Sequence, residues 1–219
     1  MRTKALLLAA AAVAAVASSQ AQVYSVNAVG YVNVTVHPGY NLVSNPLNAA
    51  DNTIGSLFMN FQGGPVNGTA IFKLVNGSFA SSRYDDLDGT FSGAATSQTV
   101  VPGDGVYVFI PGSADKVLTF VGEVVQGQTS TPLPRGFSIK ASVVPQAGAP
   151  DAFGLPAANG DVLYRYNPAT KGFSSYRFDD LDGTWSPALP SINVGEAFFY
   201  LRSGAATTWT RNFDVNNPS

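Results

Sequence analysis

The sequence predicts an all-β protein built from two tandem, duplicated, sandwich-like modules, each with at most one short helix. The first observation behind this prediction is a repeat: residues 83–91 (RYDDLDGTF) return as residues 177–185 (RFDDLDGTW), 177 − 83 = 94 positions later. Such a recurrence indicates an internal duplication. The second observation is a period-two alternation of apolar and polar residues, which is typical of half-buried strands. The third is the pair Asn76-Gly77, of the kind that closes tight hairpins.

Residues 1–21 have the pattern of a cleaved secretory signal peptide. Two basic residues precede an apolar run over residues 5–17, and small residues close it. The run holds 17 − 5 + 1 = 13 residues, whereas about 20 apolar residues are needed to cross a bilayer. We therefore expect export, a mature chain that begins near Gln22, and a location outside the cell or in the periplasm.

The charge balance and the lack of cysteine exclude several classes of function. Without residues 1–21, Lys+Arg falls to 12 − 2 = 10 against Asp+Glu 14, so the net charge becomes −4. This acidic chain has no basic stripe, which argues against nucleic-acid binding, and no basic amphipathic helix for membrane insertion. Because cysteine is absent, burial and hydrogen bonding must hold the fold without disulfides.

In the first copy, residues 22–125 (module 1), we expect short strands joined by tight turns. Predicted strands occupy residues 23–26, 30–36, 40–47, 69–74, 78–84, 106–110 and 116–124. Residues 51–53 (Asp-Asn-Thr) are typical helix caps and predict one short helix that runs to about Met59. A hairpin around Asn76-Gly77 leads into the acidic segment of the repeat.

The second copy, residues 126–219 (module 2), follows the first with offsets that change only at loops. Gly136 corresponds to Gly39 at 136 − 39 = 97, Arg165 to Lys73 at 165 − 73 = 92, and the acidic segment follows at 94. Module 2 is therefore shorter than module 1 before the hairpin and longer in the hairpin turn. Such differences are expected when the strands of a repeat are kept and its loops vary. Two separate modules are the preferred architecture, and one sandwich shared by both copies is the alternative.

Module 1 resembles the β-modules of secreted bacterial surface proteins. Its segments 39–46 (GYNLVSNP) and 102–108 (PGDGVYV) are similar to their repeat, which reads Gly-aromatic-Asn-Leu-Ile/Val near its start and Pro-Gly-x-Gly-aromatic near its end. Module 2 departs from this pattern, with Ser138 and Ile139 at the Asn-Leu positions. The resemblance implies extracellular β-modules of mostly unassigned function, and it transfers no catalytic residue.

The acidic turns are the main candidates for metal chemistry. Asp86 and Asp88 in module 1, and Asp180 and Asp182 in module 2, place alternate carboxylates beside a glycine, as calcium loops do. The pattern lacks the further Asp and the bidentate Glu of an EF-hand loop. We therefore favour a solvated hairpin end in which Asp side chains accept hydrogen bonds from nearby backbone N–H groups. Calcium, the one cofactor considered, is the alternative.

The sequence shows no catalytic constellation, and we predict that the chain is not an enzyme. His37 is the only histidine and precedes a Pro-Gly turn, which is unfavourable for a catalytic triad. A zinc site needs more His or Cys ligands than one histidine supplies. The two glutamates, Glu123 and Glu196, do not correspond between the modules, so a glycoside hydrolase is a remote alternative.

The aromatic residues have two interpretations, core packing and sugar stacking. Those mixed with Val and Ile at strand positions are expected in the core. They are Tyr24, Tyr31, Tyr40, Tyr107, Phe198, Phe199 and Tyr200. Trp185 and Trp209 are the better candidates for exposure, although packing is preferred for them too. The leading function is a non-catalytic secreted structural or adhesive surface protein, with other surface proteins or polysaccharide as partners. A carbohydrate-binding module is the alternative.

Overall fold

The structure is a computed structural model that describes residues 28–216. The predicted signal peptide at 1–21, the mature N-terminus near Gln22, and the predicted strand 23–26 with Tyr24 lie outside these residues. The strands and helix of module 1 are β1 (Val29–Val36), β2 (Gly39–Ser44), α1 (Ile54–Leu57), β3 (Ala70–Val75), β4 (Ser78–Asp85), β5 (Thr90–Ser92), β6 (Gly105–Ile110) and β7 (Lys116–Glu123). The strands of module 2 are β8 (Gly127–Leu133), β9 (Gly136–Lys140), β10 (Val162–Asn167), β11 (Gly172–Asp179), β12 (Thr184–Ser186), β13 (Phe198–Arg202) and β14 (Thr207–Phe213).

Each module consists of a two-stranded ribbon and a five-stranded antiparallel sheet. In module 1, β1 pairs with β7, and the sheet has the order β2-β6-β3-β4-β5. In module 2, β8 pairs with β14, and the sheet has the order β9-β13-β10-β11-β12. The two orders are the same when β8 is matched with β1, β9 with β2, and each later strand of module 2 with the next strand of module 1. The predicted all-β class with two sandwich-like modules is confirmed, and the alternative of one shared sandwich is wrong.

The strand registers of the two modules also coincide. Ala70 on β3 pairs with Arg83 on β4, and Val162 on β10 pairs with Arg177 on β11. The offsets are 162 − 70 = 92 and 177 − 83 = 94, as the sequence predicts. β4 then pairs with β5, and β11 with β12, on either side of the acidic turns. The prediction that these turns occupy equivalent places in the two modules is confirmed.

The hairpin turns explain why the offset changes between β3 and β4. In module 1 the turn is the two residues Asn76 and Gly77, whereas in module 2 residues 168–171 form a longer turn. Asn76 has φ 50° and Gly77 has φ 79°, the positive angles that a tight hairpin turn requires. Insertion is therefore confined to a loop, and the ladder is unchanged.

The helix in residues 28–216 is shorter than predicted. α1 ends at Leu57 rather than near Met59, because Phe58 already has a non-helical ψ of 4°. Thr53 occupies the N-cap position, but its side chain makes no capping hydrogen bond. Instead, Asp51 Oδ1 accepts a hydrogen bond from Thr53 N at 2.9 Å, which lowers the pKa of Asp51. The predicted cap residues thus order the approach to the helix.

Each module buries its core between the inner face of its sheet and its ribbon. Apolar side chains from both layers interlock there, and this burial drives the folding of the module. The core of module 1 includes Val36, Ile54, Ile71, Val106, Val108, Leu118 and Phe120. The core of module 2 includes Leu133, Leu163, Trp185, Phe198, Tyr200 and Trp209.

The preferred interpretation of the two tryptophans, core packing, is confirmed, and the alternative of exposed rings is wrong. Trp185 and Trp209 are only 9% and 2% exposed. They replace Phe91 and Leu118 of module 1, since 185 − 91 = 94 and 209 − 118 = 91, and both of those residues are also buried. Trp209 Nε1 donates a hydrogen bond to Phe153 O at 2.8 Å, which satisfies the indole inside the core.

The other aromatic residues divide between core and surface. Phe198 and Tyr200 are buried, as predicted. The prediction is wrong for Tyr31 and Tyr40, because Tyr31 lies on the outer face of the β1–β7 ribbon and Tyr40 on the outer face of its sheet. Their side chains are therefore 73% and 47% exposed.

The two modules contact each other with approximate two-fold symmetry. Val43 on β2 forms a bridge with Glu196, and Lys140 on β9 forms a bridge with Asp104. Lys140 corresponds to Val43 (140 − 43 = 97) and Glu196 to Asp104 (196 − 104 = 92). The position of Val43 in module 1 thus contacts that of Glu196 in module 2, and the equivalent positions make the same contact with the modules exchanged. This is the pattern of the isologous interface of a two-fold dimer.

Backbone hydrogen bonds across the interface repeat this relation. Ser44 N donates to Gly195 O at 2.9 Å, and Ala141 N donates to Gly103 O at 3.1 Å. These pairs are again equivalent, since 141 − 44 = 97 and 195 − 103 = 92. The modules are therefore joined by sheet-like pairing as well as by side-chain contact.

Gly105 and Ala197 lie on the pseudo-two-fold axis. They are equivalent residues (197 − 105 = 92). A Cβ at Gly105 would lie 2.5 Å from the Cβ of Ala197 and 2.6 Å from Cγ2 of Ile139. Leu42, Ile139, Ala141 and Ala197 are buried around this point. The close approach of the two modules therefore requires glycine at position 105.

Candidate functional site

Both acidic turns form the tips of hairpins at the edges of the two sheets. Asp85 Oδ1 accepts a hydrogen bond from Leu87 N at 2.9 Å, and Asp179 Oδ1 accepts one from Leu181 N at 2.9 Å. Each turn is thus closed by a side-chain-to-backbone bond of the kind that the favoured interpretation requires. The leucine at each tip is almost fully exposed, 92% at Leu87 and 90% at Leu181.

The aspartates considered as calcium ligands, Asp86, Asp88, Asp180 and Asp182, are all exposed. In the described part of the chain, no three Asp, Glu or His side chains form a group suited to a metal ion. The side chains that order the two turns are those of Asp85 and Asp179 instead. Calcium binding therefore stays the alternative to the favoured solvated turn, and it would need backbone carbonyls as further ligands.

His37, Glu123 and Glu196 do not assemble into a catalytic group. His37 Nδ1 lies 2.9 Å from Asp115 Oδ1 at an exposed site, and within residues 28–216 no serine hydroxyl bonds to its ring. Glu123 ends β7, and Glu196 lies two residues before β13. The histidine thus has a carboxylate neighbour but no nucleophile.

A network of ten aromatic rings connects the outer faces of the two sheets. In module 1, Tyr40, Phe72 and Tyr107 lie on the face opposite Ile71 and Val108, which point into the core. Neighbouring ring centroids lie 5.0 to 6.5 Å apart, within the range of favourable aromatic pairs. We call this set the aromatic face. Its members are Tyr40, Phe72, Phe79, Tyr107, Phe109, Phe137, Tyr164, Tyr166, Phe173 and Phe199.

The aromatic face crosses from one module to the other. The ring centroid of Tyr107 lies 5.3 Å from that of Phe199 and 6.0 Å from that of Tyr166. Burial raises the pKa of Tyr107, so its hydroxyl stays neutral throughout the physiological range. Four rings remain about half exposed: Tyr40 (47%), Phe79 (50%), Phe137 (52%) and Phe173 (49%). These four are two equivalent pairs, with offsets of 137 − 40 = 97 and 173 − 79 = 94.

A cleft of about 560 Å³ lies between the β1–β2 region of module 1 and the β10–β11 hairpin of module 2. Small-molecule sites in proteins have volumes of about 300 to 1,000 Å³, so the cleft is large enough for a ligand. Polar side chains line much of it. They are Asn33, Thr35, His37, Asn41, Arg165, Asn167, Ser174, Tyr176, Asn193 and Glu196.

An ion pair forms the charged part of the cleft. Arg165 Nε donates to Glu196 Oε1 at 2.6 Å, and Arg165 Nη2 donates to Glu196 Oε2 at 3.0 Å, a bidentate arrangement. Asn193 donates to the same Oε2 from its backbone N at 3.1 Å and from Nδ2 at 2.9 Å. The hydrogen bonds to Glu196 raise the pKa of Arg165. The two charges therefore neutralise each other within the cleft.

This ion pair was not predicted, although the sequence contains a signal for it. Lys73 and Asp104 are the module 1 equivalents of Arg165 and Glu196, both at an offset of 92, and their charged groups lie 3.3 Å apart. Opposite charges thus recur at the same two positions in both modules. A comparison of charges at matched offsets would have predicted the pair.

The cleft and the aromatic face are the two candidate binding surfaces of the described residues. No protein-family model, curated protein or solved structure matches the chain. In residues 28–216, no helix is long and apolar enough to cross a membrane. The function must therefore be argued from the chemistry of these two surfaces.

Proposed function

We propose that the chain is a non-catalytic, secreted structural or adhesive surface protein that associates with further copies of itself through its aromatic face. The observation that carries this proposal is the connected ring network, in which four rings are about half exposed. Secretion, to the outside of the cell or the periplasm, is proposed from the pattern of residues 1–21. The surface setting is proposed from the repeat that module 1 resembles.

A second copy of the chain is the partner that fits the aromatic face best. The two modules already pack parts of this face on each other, with Tyr107 against Phe199 and Tyr166. The exposed rings occur at equivalent positions in both modules, so the remaining surface is self-complementary and continuous with that interface. By strand alternation, Arg83 and Arg177 lie on the same sheet faces. Aromatic residues and arginine are typical of the centres of protein interfaces.

The exposed area predicts a weak association. An aromatic side chain buries about 150–250 Å², so the exposed halves of four rings offer about 300–500 Å² per copy. A stable interface buries about 800 Å² per partner. We therefore expect reversible association with a Kd in the micromolar range or weaker. Such a contact suits adhesion by many copies at a surface, where weak contacts act together.

Sedimentation velocity of the mature chain tests the proposal. Between about 10 µM and about 1 mM, we expect the average sedimentation coefficient to rise reversibly with concentration. A variant with the four half-exposed rings replaced should lose this rise. Its substitutions are Tyr40→Ser, Phe79→Ser, Phe137→Ser and Phe173→Ser.

The matched control replaces exposed apolar residues elsewhere on the molecule. Tyr31 and Val121 pair on the outer face of the β1–β7 ribbon and are 73% and 55% exposed. Replacing both with serine should leave the association unchanged. Wild-type sedimentation that does not depend on concentration, or a rise that persists in the four-ring variant, would contradict the proposal.

A second candidate function, carbohydrate binding, is favoured by a separate observation, the polar cleft between the modules. Its lining is rich in amide and hydroxyl groups, which pair readily with sugar hydroxyls. A glycan array distinguishes this function from self-association, because the array detects bound sugar whereas sedimentation detects contacts between copies.

A further inference from the structure

We propose that the cleft between the β1–β2 region and the β10–β11 hairpin binds a neutral carbohydrate. This proposal rests on the second candidate function, carbohydrate binding in the cleft, and adds the class of ligand; it does not depend on the aromatic face. The cleft has a volume of about 560 Å³ and takes walls from both modules. The site therefore exists only where the two modules are held together.

The charges of the cleft favour an uncharged ligand. Arg165 and Glu196 pair in a bidentate arrangement at 2.6 and 3.0 Å, and Asn193 fills a further acceptor position of Glu196. His37 pairs outside this group, with Asp115 at 2.9 Å. An anionic ligand would need an unmatched cation, and a cationic ligand would need an unmatched carboxylate. A neutral ligand needs neither an unmatched cation nor an unmatched carboxylate.

Hydrogen-bonding groups remain available along the wall of the cleft. Asn33 Oδ1 accepts a hydrogen bond from Thr119 Oγ1 at 2.8 Å, while the Asn33 amide nitrogen donates none within residues 28–216. The hydroxyls of Ser174 and Tyr176 also make no hydrogen bond within the described part of the chain. Each sugar hydroxyl is both a donor and an acceptor, so a polyhydroxylated ligand can pair with all three groups.

Module packing alone does not require this polar lining. The pseudo-two-fold axis gives each cleft residue an equivalent on the opposite side of the interface, and several of these equivalents are smaller or apolar. They are Ser130 for Asn33 (offset 97), Ser82 for Tyr176 (94), Val101 for Asn193 (92) and Leu74 for Tyr166 (92). The modules pack on that side without the amide and phenol groups, so these groups are available for a ligand.

A lysine also distinguishes the two sides of the interface. Lys140 reaches across the modules and its Nζ lies 2.9 Å from Asp104 Oδ1. Its equivalent at the candidate cleft is Val43, which carries no charge and so does not pair with Glu196 as Lys140 pairs with Asp104. The candidate cleft therefore lacks the side chain that occupies the corresponding place on the other side.

The cleft is suited to binding rather than to hydrolysis. Glu196 is the one Asp or Glu among the residues that line it, and it is held by Arg165 and Asn193. Glycoside hydrolysis needs two carboxyl groups on opposite sides of the scissile bond. A sugar in this cleft would thus be held and not cleaved.

A glycan array of neutral and anionic sugars, probed with the mature two-module chain, tests the proposal. We expect binding to neutral glycans, followed in titration calorimetry by a Kd between about 1 µM and 1 mM. The variant Asn33→Ser, Tyr176→Phe, Asn193→Val removes three polar groups and should raise the Kd at least about tenfold. The matched control, Val101→Asn with Ser130→Asn, changes the equivalent positions on the opposite side and should leave the Kd unchanged.

Several outcomes would overturn the proposal: no binding to any neutral glycan, binding to anionic glycans alone, or an unchanged Kd in the cleft variant. Loss of sugar binding in the four-ring variant, with binding kept in the cleft variant, would assign the sugar to the aromatic face and also overturn it. If the cleft variant melts below the wild type, Asn33→Ser alone replaces it, because Asn33 is exposed. Self-association is measured without sugar, so failure of one proposal is distinguishable from failure of the other.

Discussion

At the scale of the residue, Asp161 connects several segments of module 2. Its side chain is fully buried. It accepts hydrogen bonds from the Tyr200 hydroxyl at 2.7 Å, Ser203 N at 2.8 Å and Ala158 N at 2.9 Å, and it pairs with Arg202 at 2.5 Å. Burial alone would raise the pKa of Asp161, but these hydrogen bonds outweigh it and lower the pKa below its usual value. The carboxylate is therefore charged and structural.

Replacing Asp161 with asparagine should lower the free energy of unfolding by about 3 kcal/mol at pH 7, because Arg202 would lose its buried partner. The folded-state pKa of Asp161 is depressed, so its contribution is fully present above the unfolded pKa of about 3.9 and is lost as the pH falls through the folded pKa. The difference between wild type and variant should therefore shrink towards pH 3. Urea unfolding at pH 7 and pH 3 measures both values.

The control for this prediction is an exposed aspartate of the same module. Asp151→Asn, at an exposed loop position, should change the stability by less than about 0.5 kcal/mol. A difference between Asp161→Asn and wild type that is independent of pH would show that the side chain acts through its shape and not through its charge.

At the scale of the element, the sequence predicts strands and turns well but not which sheet face is buried. Turn residues such as Asn76-Gly77 bound the strands, and the matched offsets place the same strands in the second module. Alternation marks the inward face only when the other face is polar. On β3, Ile71 points into the core while Phe72 points outwards, so both faces are apolar. The exposure of the aromatic residues could not be predicted for this reason.

The candidate sites divide in the same way. The acidic turns are contiguous in sequence and repeated, so their positions could be predicted. The cleft takes its walls from residues 33–43 and 165–196, which come together only when the modules pack. No local pattern encodes that packing, although the recurrent charges at Lys73 and Arg165 were a partial signal.

The turn between β4 and β5, and its equivalent between β11 and β12, should be stable without calcium. The first turn is already closed by the hydrogen bond from Leu87 N to Asp85, and the second by the hydrogen bond from Leu181 N to Asp179. We therefore expect saturating calcium to leave the melting temperature unchanged. Asp88→Asn with Asp182→Asn should cost less than about 0.5 kcal/mol, since both side chains are exposed.

A contrasting variant makes this prediction sharper. Asp85→Ala with Asp179→Ala removes the turn-closing bonds and should cost about 1 kcal/mol at each turn. Calorimetry with and without calcium measures all three proteins. A calcium-dependent rise of the melting temperature that Asp88→Asn and Asp182→Asn abolish would show that the turns are metal sites.

At the scale of the whole molecule, the chain is arranged like a two-fold dimer whose subunits are joined in one polypeptide. β7 ends at Glu123 and β8 begins at Gly127, so residues 124–126 are the whole connection between the ribbons. The reciprocal pairs Val43–Glu196 and Lys140–Asp104 then fix the modules against each other. Both candidate surfaces depend on this fixed arrangement, because each takes residues from both modules.

Gly105→Ala tests the interface directly. Gly105 does not have a positive φ, so alanine causes no backbone strain and any loss of stability reports on contacts. The new Cβ would lie 2.5 Å from that of Ala197, and overpacking of this kind costs about 1–3 kcal/mol. Calorimetry should show this loss as a lower melting temperature.

The exchange of the two residues across the axis distinguishes a module contact from a local defect. Ala197→Gly, added to Gly105→Ala, removes the shortest contact and should recover about half of the lost stability, while the contact with Ile139 at 2.6 Å remains. Gly30→Ala is the control, because no atom lies within 4 Å of its added Cβ, and it should not lower the melting temperature. Wild-type stability in Gly105→Ala would contradict the tight approach of the modules. If the exchanged variant recovers nothing, the loss belongs to the contact with Ile139, the other module 2 residue close to the added Cβ, and not to the contact with Ala197.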